Sequence, residues 1–136
     1  MTRSEEREQA FVLLFESSFY QEPDLEEMVQ NAMLGRELEL GAFARRLAEG
    51  GLAHREELDI YIEKYLRNWS KKRLSRVSLA VLRLALFEIL WETDVPESVS
   101  INEAVELCKK YAGKEDASFV NGVLGSFVRE REKDGE

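Results

Sequence analysis

Apolar residues recur at three-to-four spacing from one end of this chain to the other, and no convincing alternating stretch interrupts them. A period near 3.6 suits a helix that buries one face, whereas a half-buried strand needs a period of two. That pattern commits the chain to an all-α fold. Glycine and proline then cut it into about seven helix-sized pieces.

Residues 4–20 set Ala10, Leu13 and Leu14 beside Phe11, Phe15 and Phe19, a first helix with a broad apolar face. Pro23 breaks the chain. Asp24 is placed to cap a second helix reaching about Leu34, with Leu25, Met28, Val29 and Ala32 inward and Gly35 ending it. Leu40, Phe43, Ala44 and Leu47 line a third helix that stops at Gly50-Gly51. Over 54–67 the stripe is Leu58, Tyr61, Ile62, Tyr65 and Leu66, and Trp69 follows in a basic connection.

A long helix over 75–91 carries Val77, Ala80, Val81, Leu84 and Ile89. Pro96 closes it and drives Val95 toward an extended conformation. Ser100 with Glu103 three residues on reads as a capping box for the next helix. Val105, Leu107, Cys108 and Tyr111 face its apolar side, and Gly113 terminates it. Asp116 is placed to cap the last helix, over 117–130, whose stripe is Val120, Val123, Leu124 and Phe127. The end of the chain, "REREKDGE", has no apolar anchor and reads as a frayed tail over 132–136.

At 136 residues and 44% hydrophobic the chain can build one core as a single domain. It has no 18-residue apolar run that could span a membrane. Its first residues lack the apolar centre of a signal peptide, and one cysteine cannot form an internal disulfide, so a reducing cytoplasm is the expected compartment.

Charge is distributed unevenly. The net charge is −8, yet residues 64–83 hold Lys64, Arg67, Lys71, Lys72, Arg73, Arg76 and Arg83 with no acidic residue. That window is +7 and leaves the rest of the chain at −15. One basic zone on an acidic protein reads either as a solvated cluster or as the place where a polyanion lands. Arg73, Arg76 and Arg83 can share one side of a helix, and Arg3 and Arg7 would extend that patch if the first helix packs alongside.

Catalytic machinery is hard to find. His54 follows a glycine pair and reads as a surface or capping histidine; Cys108 reads as an inert buried thiol. No CxxC, histidine pair, HExxH, GxxxxGK[ST] or GxGxxG is present, so neither a metal nor another cofactor is expected. Glu88 is expected to pair with a nearby arginine. Phe119 stands off the centre of the last helix's stripe, either at the edge of the core or exposed as a stacking platform for a single-stranded base.

Three stretches carry a resemblance that covers essentially the whole chain: "REQAFVLLFE" at 7–16, "VLRLALFEI" at 81–89 and "PESVSINEAVELCKKYAGKEDASFVNGVLGSF" at 96–127. They resemble the NusB family of bacterial transcription antitermination factors. That resemblance implies two packed helical subdomains, here about 1–69 and 70–131, and no enzymatic activity. It implies pairing with ribosomal protein S10 (NusE), recognition of single-stranded boxA RNA of ribosomal RNA operons, and assembly of an antitermination complex on RNA polymerase. Some members form homodimers when alone.

Carried over residue by residue, the resemblance selects Arg3, Arg7, Arg73, Arg76, Ser98 and Phe119 for RNA, with Asn121 in support. It selects Phe15, Ser78, Glu115 and Asp116 for the S10-facing side. The chain departs from the family where Glu5 and Glu6 dilute the basic arm, where Ser98 replaces a basic residue and where Ser78 replaces a glutamate. Gly122 is expected to permit a close backbone approach. Two other readings stay open: a protein-only acidic scaffold for basic partners, and an accessory RNA-binding domain related to those of RNA methyltransferases.

Overall fold

The computed structural model describes residues 1–33, 39–66 and 74–133. Seven helices account for most of them: α1 (Arg3–Ser17), α2 (Leu25–Met33), α3 (Ala42–Ala53), α4 (Arg55–Lys64), α5 (Arg76–Trp91), α6 (Glu97–Tyr111) and α7 (Lys114–Lys133). The all-α expectation is met, and no strand occurs among the described residues. The expected helix end at Gly35, the Trp69 connection and the cations Arg67, Lys71, Lys72 and Arg73 lie outside the described residues.

The fold is organised around α5. Every residue from Val81 to Ile89 is buried, as expected of a helix enclosed on all sides. α1, α3, α4, α6 and α7 surround it. A helix buried all round from Val81 to Ile89 cannot choose a polar face there, so the two charged residues within that stretch need partners. Arg83 finds Asp59 on α4, with paired bonds of 2.8 and 2.7 Å. Glu88 finds Arg7 on α1, with paired bonds of 2.7 and 3.0 Å. Each pairing fixes which part of a neighbouring helix can lie against α5.

Direction follows from the same contacts. Arg7 meets Glu88 near the Trp91 end of α5, while the Ser18 carbonyl meets Arg76 at the other end, so α1 runs antiparallel to α5. Ser100 on α6 bonds Glu88, and Cys108 lies 3.8 Å from Ser78, so α6 also runs antiparallel to α5. Gly113 then turns the chain at φ 118°, its N–H reaching back to the Cys108 carbonyl, and α7 returns along α6. Only glycine adopts that backbone without strain.

Several local expectations give way. The glycine pair Gly50-Gly51 does not end α3, which continues to Ala53. Gly50 is there because the Phe87 ring lies over it: an added Cβ would sit 2.0 Å from a ring carbon. The Ser100–Glu103 capping box does not form, because α6 already begins at Glu97. Ser100 is instead a buried donor to Glu88, and Glu103 accepts from Arg7 and Ser4. The capping box is at Thr2 and Glu5, at the start of α1. Glu6 reaches across from α1 and accepts from the N–H groups of Phe43 and Ala44, serving as a cap for α3 supplied by another helix.

Candidate nucleic-acid and partner interface

Those of the expected site residues that the structure describes gather toward the two ends of α5. Arg76 and Glu88 are twelve residues apart, so the ends they mark are separated by roughly 18 Å at 1.5 Å per residue.

Near the Trp91 end, Arg3 is exposed. Its guanidinium lies 4.2 Å from the Phe43 ring centroid and 3.8 Å from Asp94. Ser98 is exposed on the first turn of α6. Arg46 stacks 5.4 Å from the same Phe43 ring and pairs with Glu92 at 2.9 Å. That pairing holds the Arg46 guanidinium above its ordinary pKa, chiefly through the Glu92 hydrogen bond.

Arg7 is the main correction at this end. It was expected at a phosphate, and it is buried, with three of its N–H donors on Glu88 and Glu103. Together with Ser100 and Ser4 it makes a network that ties α1, α5 and α6 together. Arg83 is likewise withdrawn from the expected stripe by its pairing with Asp59, and Lys64 pairs with Glu130 at 2.8 Å. The continuous patch expected from Arg3 through Arg83 therefore does not form among the described residues.

At the other end, Arg76 is exposed at the first position of α5. Its Nη1 donates to the Ser18 carbonyl at 2.6 Å, and its guanidinium lies 4.4 Å from the Phe19 ring centroid. The Phe19 ring meets Phe15 edge-on at 5.3 Å, and Phe15 lies 6.1 Å from Phe11. Phe15 is half-buried, while Phe19, expected on the buried face of the first helix, is 54% exposed just beyond the end of α1.

Asp116 does not cap the last helix as expected, since α7 already begins at Lys114. Its carboxylate accepts from Ser75 at 2.7 Å and from Ser78 at 3.2 Å, joining the starts of α5 and α7. Ser75 is itself the cap of α5, accepting from the Ser78 N–H. Ser78, expected to face a partner, is buried beneath this arrangement, whereas Glu115, next to Asp116 in the chain, is exposed.

Phe119 is half-buried and packs against the core, and Asn121 is exposed. Gly122 faces open space, with nothing within 4 Å of where a Cβ would be, so the expected close backbone approach is absent. Cys108 is fully buried, and burial pushes its thiol up, as an inert core cysteine requires. His54 makes no side-chain cap bond; its ring stacks 4.2 Å from that of Trp91. No cluster of three or more potential metal ligands occurs among the described residues.

Two residues have roles that their sequence positions do not show. Apolar spacing puts Phe19 on a helix face, although the helix ends before it, and Glu6, which dilutes the basic arm in sequence, caps α3. A helix ending short of Phe19 was not legible from apolar spacing alone.

Comparison with known proteins agrees with the fold over nearly its whole length. The family model described as "NusB family" matches residues 4–129. The transcription antitermination protein NusB of Clostridium botulinum (strain Loch Maree / Type A3) is 39% identical over 142 aligned positions, covering 94% of this chain and all of that protein. Among solved structures, T. maritima NusB superposes with a TM-score of 0.82 at 36% identity, covering 96% of this chain and 92% of that one. A chain from the crystal structure of antitermination factors NusB and NusE in complex with dsRNA superposes with a TM-score of 0.81 at 29% identity, covering 96% and 99%.

Proposed function

The chain belongs to the NusB family, and from that premise we propose that it is a transcription antitermination factor that binds RNA together with NusE, ribosomal protein S10. The observation that carries this reading is the full-length match to a chain solved with NusE and RNA. On this reading the protein is a cytoplasmic adaptor rather than an enzyme, its RNA is a single-stranded boxA element, and the assembly it enters is the antitermination complex on RNA polymerase.

The geometry supports a divided RNA track. Arg3 and Ser98 would contact the strand near the Trp91 end of α5, and Arg76 with Phe119 and Asn121 near the other, with Arg73 in the basic segment between α4 and α5. Cations at separated points hold phosphates and set the path of a strand, while a partly exposed ring offers one stacking surface. NusE would dock beside Phe15 and the first turn of α7, at Glu115 and Asp116. A −8 chain suits a basic partner, which would supply positive surface that Arg7 and Arg83, both spent on carboxylates, do not.

Titrating labelled boxA RNA with the chain alone, with NusE alone and with both tests the reading. The mixture is expected to bind boxA more tightly than either protein and to discriminate against a scrambled strand. For single strands the logarithm of affinity should fall with the logarithm of salt at about −0.7 per phosphate neutralised. Equal affinity of the mixture for boxA and scrambled RNA would overturn it.

A further inference from the structure

We propose that Phe19 is the positioning residue for Arg76, and that its contact with Phe15 is the physical link through which NusE docking strengthens RNA binding. This rests on the function proposed above. It gives a binding role to a residue that lies outside the matching motifs and that the apolar pattern places on the buried face of the first helix, together with a means of coupling.

Two facts set Phe19 apart. It is 54% exposed, in a turn whose N–H groups bond back to the last carbonyls of α1, so core burial does not account for a large ring there. It touches two neighbours at once. Its ring makes a T-shaped contact with Phe15, on the proposed NusE side, at 5.3 Å and 80°, and the Arg76 guanidinium lies over it at 4.4 Å from the centroid.

Arg76 differs from the two buried arginines in its partners. Arg7 and Arg83 lie on carboxylates, which spend their charge inside the protein. Arg76 is held by a ring and a backbone carbonyl, at 2.6 Å from Ser18, and neither neutralises it. A guanidinium has five N–H donors, so most remain for a phosphate. An exposed arginine otherwise loses rotamer freedom when it binds, and holding it in advance removes part of that cost.

Coupling follows from shared parts. A partner seated on Phe15 restricts the ring packed against it, and with it the cation stacked on that ring. A protein already ordered in this way loses less freedom when the second ligand arrives. The linkage is reciprocal, so RNA should raise NusE affinity by the factor by which NusE raises RNA affinity.

The experiment measures boxA RNA affinity without NusE and at saturating NusE, for the parent, Phe19→Ala, Phe19→Tyr and Arg76→Ala, with thermal melts to confirm folding. NusE affinity is measured separately with and without RNA. Phe19→Ala is expected to cut the gain conferred by NusE by on the order of fivefold, the low end of typical coupling, while Phe19→Tyr, which keeps the ring, preserves it. Combining Phe19→Ala with Arg76→Ala should cost no more than Arg76→Ala alone. A NusE gain that survives intact in Phe19→Ala overturns the inference, as does a Phe19→Tyr variant that behaves like Phe19→Ala. Absence of any gain in the parent instead overturns the proposed function, and this inference with it.

Discussion

Replacing Arg7 with methionine leaves the Glu88 carboxylate buried, with its side chain only 2% exposed and Ser100 as its remaining donor. Breaking a buried ion pair from one side costs about 3–5 kcal/mol, because the stranded charge keeps its desolvation penalty without its partner. Unfolding entropy is about 2.1 cal/mol/K per residue near the transition, so 136 residues give roughly 0.3 kcal/mol/K. The melting temperature of Arg7→Met should therefore fall by roughly 10–17 °C.

A second variant separates structure from RNA contact. In Arg7→Met/Glu88→Leu/Ser100→Ala all three buried polar members are replaced by apolar groups, and Glu103 keeps Ser4 and water. Apolar replacement of a buried charged group is commonly neutral or stabilising, so the triple variant should recover most of the lost stability. Differential scanning calorimetry reads the stability and anisotropy titration with NusE reads the RNA affinity. If Arg7 is a bolt between helices, RNA affinity returns as stability returns. The reasoning fails if Arg7→Met melts within about 3 °C of the parent, a loss under roughly 1 kcal/mol. It also fails if the triple variant regains stability while RNA binding stays weak, which would make Arg7 a phosphate ligand.

Two glycines give opposite expectations for the same substitution. Gly122→Ala meets nothing within 4 Å and should raise stability by about 0.4–1 kcal/mol. Gly50→Ala must displace the Phe87 ring from 2.0 Å and should come out about 1–3 kcal/mol below Gly122→Ala in urea unfolding; equal stabilities would contradict the packing described. The Glu8 carboxylate is held below its ordinary 4.5, first by the hydrogen bond from Lys110 and then by that from Tyr111. A lowered folded pKa stabilises above 4.5 and loses that contribution as pH falls through the folded value. Glu8→Gln should thus be the less stable protein at pH 7, with the two stability curves converging below 4.5; parallel curves through that range would rule the contribution out. The same neighbourhood pushes the Tyr111 hydroxyl up to about 12, by burial first and then by the Glu8 carboxylate.

Sequence alone determined the fold class and the partition into helices. A 3.6-residue apolar period is a local property: each stripe, such as Val120, Val123, Leu124 and Phe127, is written within its own helix and needs no neighbour to be read. The same holds for Asp24 as a cap, since its Oδ1 accepts from Glu27 within one turn, and for Gly113 as a stop at positive φ. The expected pairing of Glu88 with an arginine was also legible, because a carboxylate inside an apolar run has few other ways to be buried.

Tertiary structure decided which charges remain for function. Arg7 and Arg76 look equivalent in sequence, yet one faces Glu88 across a helix interface and the other lies on a ring at the protein surface. Glu6 caps a helix 37 residues away, and Asp116 joins the starts of two helices rather than capping its own. Gly50 is a glycine because the Phe87 ring fills the space a side chain would need, and its helix runs on past it to Ala53. In each case the deciding partner is distant in the chain, so the outcome depends on how helices cross rather than on the residues beside it. Periodicity tells which face of a helix is buried, and only packing tells what that face meets.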